Sequence, residues 1–232
     1  MKTPLLAVLR AELAAAGDPV RAVGGQKYMK SEMPFHGVAA PLLRSICKRV
    51  FAEADLSTAT RWKRSVLGLW RGAEFREERY AAVELTGDRR ALPYQTLDTV
   101  PMYEEMIVSG AWWDTVDFIA SHRVGPLLKL HPAPMRKVLL DWSRCDDLWK
   151  RRTAILAQLG FKKETDLPLL YACIAPALPS REFFLRKAIG WALRQYAWTD
   201  PAEVARYVAR HGPALSSLSR REALKNIAGR GR

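Results

Sequence analysis

Two segments of the chain combine residue types that could carry chemistry, and the first is AWWDTVDFI from Ala111. Trp113 and Asp117 are four residues apart, so in a helix they share one face. A carboxylate beside an indole on a basic chain works against the attraction for phosphate unless it meets a positive charge of its own, so Asp117 is a candidate functional residue. Asp114 is predicted to lie in the first turn of the same helix, where an acid complements the helix dipole. The alternative for Asp117 is a structural salt bridge with Arg152.

The second segment is EFFLRKAIGWALRQYA from Glu182. Lys187, Trp191 and Arg194 follow one another at i, i+4 and i+7, which places two cations and an indole on one helix face. Cations bind phosphates and a flat ring stacks on bases or sugars, so this pattern is typical of a nucleic-acid surface. An aromatic residue at helical spacing is also typical of a core. Both interpretations of Trp191 stay open on the sequence.

Charge and missing motifs narrow the classes of function. The 232 residues carry a formal net charge of +13, which favours a polyanionic partner because neutralising phosphates releases counterions. The sequence contains no phosphate-binding loop, dinucleotide fingerprint, serine-hydrolase elbow or HExxH pattern. The cysteines and histidines are scattered and show no metal-ligand spacing, so no metal site is predicted. These residues are Cys47, Cys145, Cys173, His36, His122, His131 and His211.

The elements that must position these residues are predicted to be helices. Apolar residues recur at helical spacing almost everywhere, for example in LLRSICKRVF from Leu42 and KVLLDW from Lys137. No segment alternates with the period of a strand, so the fold class is predicted to be all-α. Prolines divide the chain into helices of roughly 10–18 residues. One helix start is especially clear, because Asp200 can cap a helix whose first residue is Pro201.

A weak internal repeat of 35 residues relates the helices of the C-terminal half: WKRRTAI aligns with FLRKAIG, and further shifts reach DTVDFIA and RREALKN. In this register, equivalent positions are occupied by Asp117, Arg152, Lys187 and Glu222. Equivalent positions of stacked repeats project to one surface, so the register predicts a line of ionic side chains along one face, suited to a duplex. The alternative is a chance alignment of helices rich in Lys, Arg and Ala.

Hydropathy predicts no association with a membrane. No stretch reaches the ~18 uninterrupted apolar residues that a bilayer span requires. The longest candidate, PLLAVL from Pro4, is followed by Arg10 and Glu12, which argues against a secretory segment as well. We therefore expect a location in the cytoplasm.

Five motifs together resemble the AlkD-type DNA alkylation repair family. They are KYMKSEMPFHGV, WWDTVD, LWKRRTAILAQL, EFFLRKAIGWALRQYA and LSRREALKNI. The motifs occur in the same order and at similar spacing as in the family, and the resemblance runs from about Tyr28 to Ile227. The combination WWDxVD followed by FxxKAIGWxLR is its most specific part.

This resemblance implies a single domain over residues 1–232, a right-handed superhelical solenoid of HEAT-like two-helix repeats with a concave basic face around duplex DNA. It implies a monofunctional N-glycosylase that excises cationic N3- and N7-alkylated purines, such as 3-methyladenine and 7-methylguanine, without a metal or organic cofactor. The protein is expected to be a monomer in the bacterial cytosol or nucleoid, with alkylated duplex DNA as its partner.

The resemblance also implies roles for individual residues. Catalytic roles are expected for Trp113, Asp117, Arg152 and Trp191. Contacts with DNA are expected from Tyr28, Arg44, Phe183, Phe184, Lys187 and Arg194. The sequence departs from the family pattern at two positions near the N-terminus: His36 stands where the family usually has an apolar residue, and Ala40 stands where it often has a hydroxyl-bearing one. Both are expected close to DNA, so these departures bear on lesion preference.

Two other classes of function are compatible with the sequence. One is a non-catalytic HEAT-repeat protein that binds branched or distorted DNA. The loss of the carboxylate or of a tryptophan would mark such a protein, and Asp117, Trp113 and Trp191 are all present. The other is a solenoid that binds an acidic protein on its concave face. Phosphate binding weakens steeply with salt. A salt-insensitive or absent affinity for DNA would therefore favour the solenoid that binds an acidic protein.

Overall fold

A computed structural model describes residues 4–227, and within this range the chain is all-helical with no strand, as predicted. Short 3-10 segments join some of the helices. The α-helices of the described range are α1 (Leu5–Ala15), α2 (Pro19–Met29), α3 (Ala40–Ala52), α4 (Ala59–Arg71), α5 (Arg76–Leu85), α6 (Val100–Gly110), α7 (Trp113–Ile119), α8 (Gly125–Leu130), α9 (Pro132–Arg144), α10 (Leu148–Leu156), α11 (Leu167–Ile174), α12 (Phe183–Tyr196), α13 (Pro201–His211) and α14 (Ser217–Leu224).

Capping residues and prolines set many of the helix starts. The predicted start of α13 is confirmed: the Asp200 carboxylate accepts the backbone N–H of Glu203 at 2.9 Å, and Pro201 is the first helical residue. Helix α2 begins in the same way, with Asp18 as the cap before Pro19. A proline at the first helical position costs no backbone hydrogen bond, since an N–H there would have no partner within the helix.

The 35-residue register is confirmed by the spacing of the helices. Helices α7, α10, α12 and α14 begin at residues 113, 148, 183 and 217. The helices between them, α9, α11 and α13, begin at residues 132, 167 and 201. A similar spacing of 36 residues separates the starts of α3 and α5, at residues 40 and 76, although the sequence did not reveal a repeat there.

Contacts divide the chain into two compact units, Met1–Met102 and Tyr103–Arg232. In the second unit the helices form two layers. In the first layer, α7 packs on α10, α10 on α12, and α12 on α14. The second layer consists of α9, α11 and α13, which cover one side of the first. The core between the layers is apolar and includes Leu156, Leu185, Ile189 and Val204, so burial of these side chains holds the layers together.

In the first unit, α1, α3, α4 and α5 pack around a core that contains Leu9, Leu13, Trp62 and Trp70. The Trp62 side chain is fully buried, and its indole N–H donates to the carbonyl of Leu85 at 3.1 Å. A buried indole that keeps this hydrogen bond pays no desolvation penalty for its polar atom.

A buried carboxylate network completes the first unit. The Arg10 guanidinium holds both oxygens of Glu78, with Nε–Oε1 at 2.7 Å and Nη2–Oε2 at 3.0 Å. The neighbouring Glu77 carboxylate accepts three backbone N–H groups, from His36, Gly37 and Val38. Gly37 has φ +84°, and a Cβ there would lie 2.0 Å from the carbonyl oxygen of Asp18. The turn that cradles Glu77 therefore requires glycine.

No helix within residues 4–227 is long and apolar enough to cross a bilayer. The stacked helical repeats expected of a solenoid are present in the second unit, whereas a single domain over residues 1–232 with a concave basic face stays a prediction.

Candidate functional site

The first part of the candidate site is the start of α7. Trp112 is the extended residue before the helix, and Trp113 begins it. Asp114 lies in the first turn, and its Oδ1 accepts the backbone N–H of Thr115 at 2.8 Å. The structural role predicted for Asp114 is confirmed, because it satisfies a helix-end donor that has no partner within the helix.

Asp117, one turn later, forms a bidentate salt bridge with Arg152 of α10. Arg152 Nε lies 2.7 Å from Oδ1, and Nη2 lies 2.8 Å from Oδ2. The Asp117 side chain is 12% exposed and that of Arg152 only 4%. The salt bridge considered from the sequence is therefore present, and it joins residues that are 35 apart. Within residues 4–227, Arg152 supplies the only hydrogen bonds that the structure shows to the Asp117 carboxylate.

Arg152 also links this pair to α12. Its Nη1 donates to the backbone carbonyl of Phe184 at 2.5 Å, and its guanidinium lies 5.7 Å from the centre of the Phe184 ring. Three nitrogens of the guanidinium are thus engaged by two helices. Because a planar fork held at three points has little freedom to rotate, Arg152 fixes the position of the Asp117 carboxylate.

An aromatic cluster is centred on Phe184, whose ring lies beside the Arg152 guanidinium. The Phe184 ring lies 4.9 Å from Trp149, 5.3 Å from Trp112 and 5.4 Å from Phe183, measured between ring centres. These rings form a packed apolar wall beside the ion pair. The buried Trp112 indole N–H has no hydrogen-bond partner among the described residues.

The two tryptophans expected in the site lie on first-layer helices. Trp113 is half-buried and lies one turn before Asp117 on α7. Trp191 is half-buried and lies on α12, two turns after Phe184, where part of its ring packs against the core of the second unit. The core interpretation of Trp191 is thus correct for one part of the side chain, while another part remains exposed.

A π-helical turn, Ala120–Val124, follows α7 and joins it directly to α8. Ser121 Oγ donates to the Asp117 carbonyl at 2.8 Å. Pro126 has no N–H to offer the His122 carbonyl one helical turn earlier, and this carbonyl instead accepts Nη1 of Arg123 at 2.8 Å. Such turns are rare and often occur at functional sites. The sequence analysis missed this turn, for which Pro126 was the available signal.

A second buried carboxylate lies at the far end of the same layer. Glu222 of α14 is paired with Lys187 at 3.0 Å, Arg194 at 2.7 Å and Lys225 at 2.7 Å. The Lys187–Glu222 pair again joins residues 35 apart. Lys225 was missed from the sequence, although its position three residues after Glu222 on a helix allowed the contact.

The two carboxylates differ in their electrostatics. Burial raises the pKa of Asp117 above the usual range, while the hydrogen bonds and charge of Arg152 oppose this shift. The hydrogen bond from Lys225, together with the charges of Lys187 and Arg194, lowers the pKa of Glu222 to about 2. A guanidinium keeps its proton at every working pH, so the bidentate pair holds Asp117 as an anion at neutral pH.

The remaining predicted DNA contacts lie on exposed surfaces of their own units. Tyr28 of α2 is 75% exposed, Phe183 is exposed at the start of α12, and Arg44 is exposed on α3. Ala40, the first residue of α3, is also exposed.

His36 differs from expectation, because its side chain is buried. Its ring stacks on Phe75 at 3.8 Å and lies 3.4 Å from the Glu78 carboxylate. The departure at this position therefore acts on the packing of the first unit and leaves no exposed ring to touch DNA. The sequence could not show this, since the partners lie about 40 residues away.

Metal chemistry has no visible ligand set in the described range, where no three His, Cys, Asp or Glu side chains come together. Burial raises the pKa values of Cys47 and Cys173 to about 12. Thiols with such pKa values are inert at neutral pH.

Two of the comparisons with known proteins give a match. A model of the family described as DNA alkylation repair enzyme matches residues 9–227. The chain belongs to this family. A solved structure of a predicted DNA alkylation repair enzyme from Enterococcus faecalis is 28% identical, with a TM-score of 0.83 over 92% of this chain and 97% of that one. The comparison with curated proteins gives no match. Membership of the DNA alkylation repair family confirms the resemblance seen in the sequence and supports an enzymatic role in DNA repair.

Proposed function

We propose that the chain is a monofunctional DNA glycosylase that removes cationic N3- and N7-alkylated purines from duplex DNA. The observation that carries the proposal is the Asp117 carboxylate, which is mostly buried, fixed by Arg152 at 2.7 and 2.8 Å, and one turn from Trp113. A family of alkylation repair enzymes needs a group that acts on the damaged nucleotide, and this carboxylate is suited to that task.

The reaction breaks the bond between C1′ of the sugar and the purine nitrogen. Alkylation at N3 or N7 gives the purine a positive charge, so the bonding electrons leave with the base and neutralise it. The sugar then carries the positive charge as an oxocarbenium ion. Water adds to C1′ and loses a proton, which leaves an abasic site and a free neutral base. No strong general acid is required, because the leaving group is already activated.

Asp117 acts on the sugar in this proposal. A fixed anion lowers the free energy of the positive sugar more than that of the neutral one, and this difference accelerates the reaction. Its low exposure strengthens the effect, because little water screens the charge. The same carboxylate orients the attacking water, since each of its oxygens can accept more than one hydrogen bond.

Trp113 and Trp191 complete the proposed site. The face of an indole attracts a cation, and the flat ring packs on deoxyribose. The net charge of +13 supplies the attraction for the DNA backbone. The proposed order of substrates follows from the leaving group, so cationic lesions should react much faster than neutral ones.

The test is the release of 7-methylguanine from methylated duplex DNA under single-turnover conditions. We expect Asp117→Asn to release the base about 10²–10³-fold more slowly than the unaltered protein. Asp114→Asn is the matched control: it removes the same charge three residues away and can still accept the Thr115 N–H. Equal rates for Asp117→Asn and the unaltered protein would reject the role of Asp117. An unaltered protein that releases no base would reject the glycosylase.

A second candidate is a non-catalytic protein that binds distorted DNA. The observation that favours it is the engagement of both Asp117 oxygens by Arg152, which is also the geometry of a purely structural pair. Tight, salt-sensitive binding to a DNA junction without base release would support this candidate.

A further inference from the structure

The Glu222 cluster consists of one buried carboxylate and three cations on neighbouring helices. Glu222 is only 4% exposed, while the side chains of Lys187, Arg194 and Lys225 are 35%, 26% and 50% exposed. The acid therefore lies beneath its three partners, which keep exposed surface. One negative and three positive charges leave the cluster with a net charge of +2.

Close packing of α12 and α14 builds this arrangement. A Cβ on Gly190 would lie 2.5 Å from Glu222 Cβ and 2.9 Å from the Ser219 carbonyl oxygen, so any larger residue would separate the helices. Two further bonds fix the same contact: Ser219 Oγ donates to the Arg186 carbonyl, and Asn226 donates to the Arg194 carbonyl. The carboxylate is thus held at a fixed depth under the cations.

Fixing these side chains matters because free lysine and arginine side chains lose rotamer entropy when a ligand immobilises them. At the Glu222 cluster this ordering is already present in the folded protein. A pre-ordered group of cations binds an anion more tightly than the same charges on mobile side chains.

We propose that Lys187, Arg194 and Lys225 form a phosphate site for the DNA backbone, and that Glu222 is the positioning residue that holds them in place. The site rests on the proposed DNA partner and adds two residues to it, Glu222 and Lys225. It lies in the same helix layer as Asp117, and the Lys187–Glu222 pair lies two repeats of the 35-residue register after the Asp117–Arg152 pair. Its ligand is a phosphodiester oxygen, so binding is independent of base sequence and of damage.

The proposal makes a prediction whose sign is opposite to that of simple electrostatics. Glu222→Gln raises the net charge of the protein by one. If Glu222 acted only as a negative charge near DNA, this substitution would tighten binding. If Glu222 positions the cations, the substitution releases them and weakens binding in spite of the added positive charge.

The experiment is fluorescence anisotropy of an unmodified duplex at several salt concentrations. We expect Glu222→Gln to bind about three- to ten-fold more weakly, with a salt dependence of log K that is shallower by about one. The control is Glu164→Gln, which removes the same charge from the exposed pair with Lys129. It should bind as tightly as the unaltered protein, or slightly more tightly. Tighter binding by Glu222→Gln, or an unchanged salt dependence, would overturn the proposal.

A second pair of variants keeps the proposal testable if Glu222→Gln does not fold, as judged by circular dichroism. Lys225→Gln and Lys137→Gln each remove one positive charge from an exposed position, Lys225 beside the cluster and Lys137 on α9 of the second layer. Lys225→Gln should weaken binding and reduce the salt dependence by about one, and Lys137→Gln should do neither. Equal effects of the two substitutions would overturn the proposal.

Base release separates this site from the glycosylase proposal. Glu222→Gln should mainly raise the protein concentration that gives half-maximal release of 7-methylguanine. Asp117→Asn should instead lower the maximal rate. If the unaltered protein releases no base but Glu222→Gln still weakens binding to undamaged DNA, the phosphate site stands and the glycosylase fails. If base release occurs but Glu222→Gln binds more tightly, the reverse holds.

Discussion

Residues 4–227 contain two buried bidentate pairs of arginine and carboxylate, one in each compact unit, and they are built differently. The Glu78 side chain is fully buried, and besides Arg10 it accepts the backbone N–H groups of Glu74 and Phe75. The Asp117 carboxylate, in contrast, keeps a partly exposed edge and is bonded to Arg152 alone among the described residues.

The difference appears in the two pKa values. Although burial raises the pKa of Glu78, the bonds from Arg10 and from the two backbone N–H groups outweigh it and lower the pKa overall. At Asp117 burial is the larger effect, and the pKa is raised. A carboxylate whose acceptor sites are filled stabilises the fold, whereas one with accessible oxygens and an unfavourable environment is suited to act on a ligand.

Replacing the arginine of each pair should show the largest difference between the two pairs. Arg152→Gln leaves a mostly buried Asp117 without a countercharge, so we expect it to take up a proton and base release to fall about 100-fold. Arg10→Gln should lower the free energy of unfolding by about 2 kcal/mol and leave base release per folded molecule unchanged. Single-turnover rates and urea unfolding of both variants test this. A similar loss of release in both would contradict the comparison.

Acidification should affect the two pairs at different pH values. Protonation of Asp117 should slow base release by about ten-fold per pH unit below its pKa, and because burial raises this pKa, the loss should begin above the ordinary value of 3.8. Glu78 has a lowered pKa, so its contribution to stability is complete above 4.5 and is lost only as the pH falls below that value.

Release rates measured in parallel with circular dichroism should therefore decline before the protein unfolds. The residual rate of Asp117→Asn should not show this decline. If base release is lost only at the pH of unfolding, Asp117 has the same structural role as Glu78.

Substitutions of tryptophan should affect base release in the second unit and stability in the first. Trp113→Ala should slow base release about ten-fold, the value of a cation–π contact of 1–2 kcal/mol, with a small effect on stability. Trp62→Ala should lower the free energy of unfolding by about 3–5 kcal/mol, because it opens a cavity in a fully buried position. Chemical denaturation and release assays on both variants provide the measurement, and a larger catalytic effect at Trp62 would contradict it.

The smallest effect is expected at His36. His36→Leu restores the apolar residue of the family pattern and removes the stack on Phe75 and the contact with Glu78. We expect a change in unfolding free energy of about 1 kcal/mol and rates within two-fold for both 3-methyladenine and 7-methylguanine. A changed preference between these lesions would show that His36 influences the bound DNA.

The sequence predicted the elements that repeat. Helical periodicity and prolines located most helices, and the 35-residue register placed Asp117, Arg152, Lys187 and Glu222 at equivalent positions on successive helices. Both ion pairs follow from one rule, since equivalent positions on adjacent packed helices become neighbours.

Features that depend on distant partners could not be predicted. The burial of His36 depends on Glu77 and Glu78, which lie about 40 residues later, and the π-helical turn depends on a local change of hydrogen bonding. A glycine inside a helix can have several roles in a sequence. The close approach of α14 shows that Gly190 allows contact between two helices. The repeat in the first unit was missed because its helices share spacing with the others but little residue similarity.

The π-helical turn Ala120–Val124 sets the rotational phase of one long helical stretch. Asp117 lies before this turn, and the buried Leu127 and Leu128 lie after it. Since an α-helix advances by about 100° per residue, deleting a single residue here would swing the two leucines by about that angle relative to the carboxylate. Substitution of the exposed His122 leaves this phase intact. Lineages that carry the acid should therefore vary in the composition of the turn more freely than in its length.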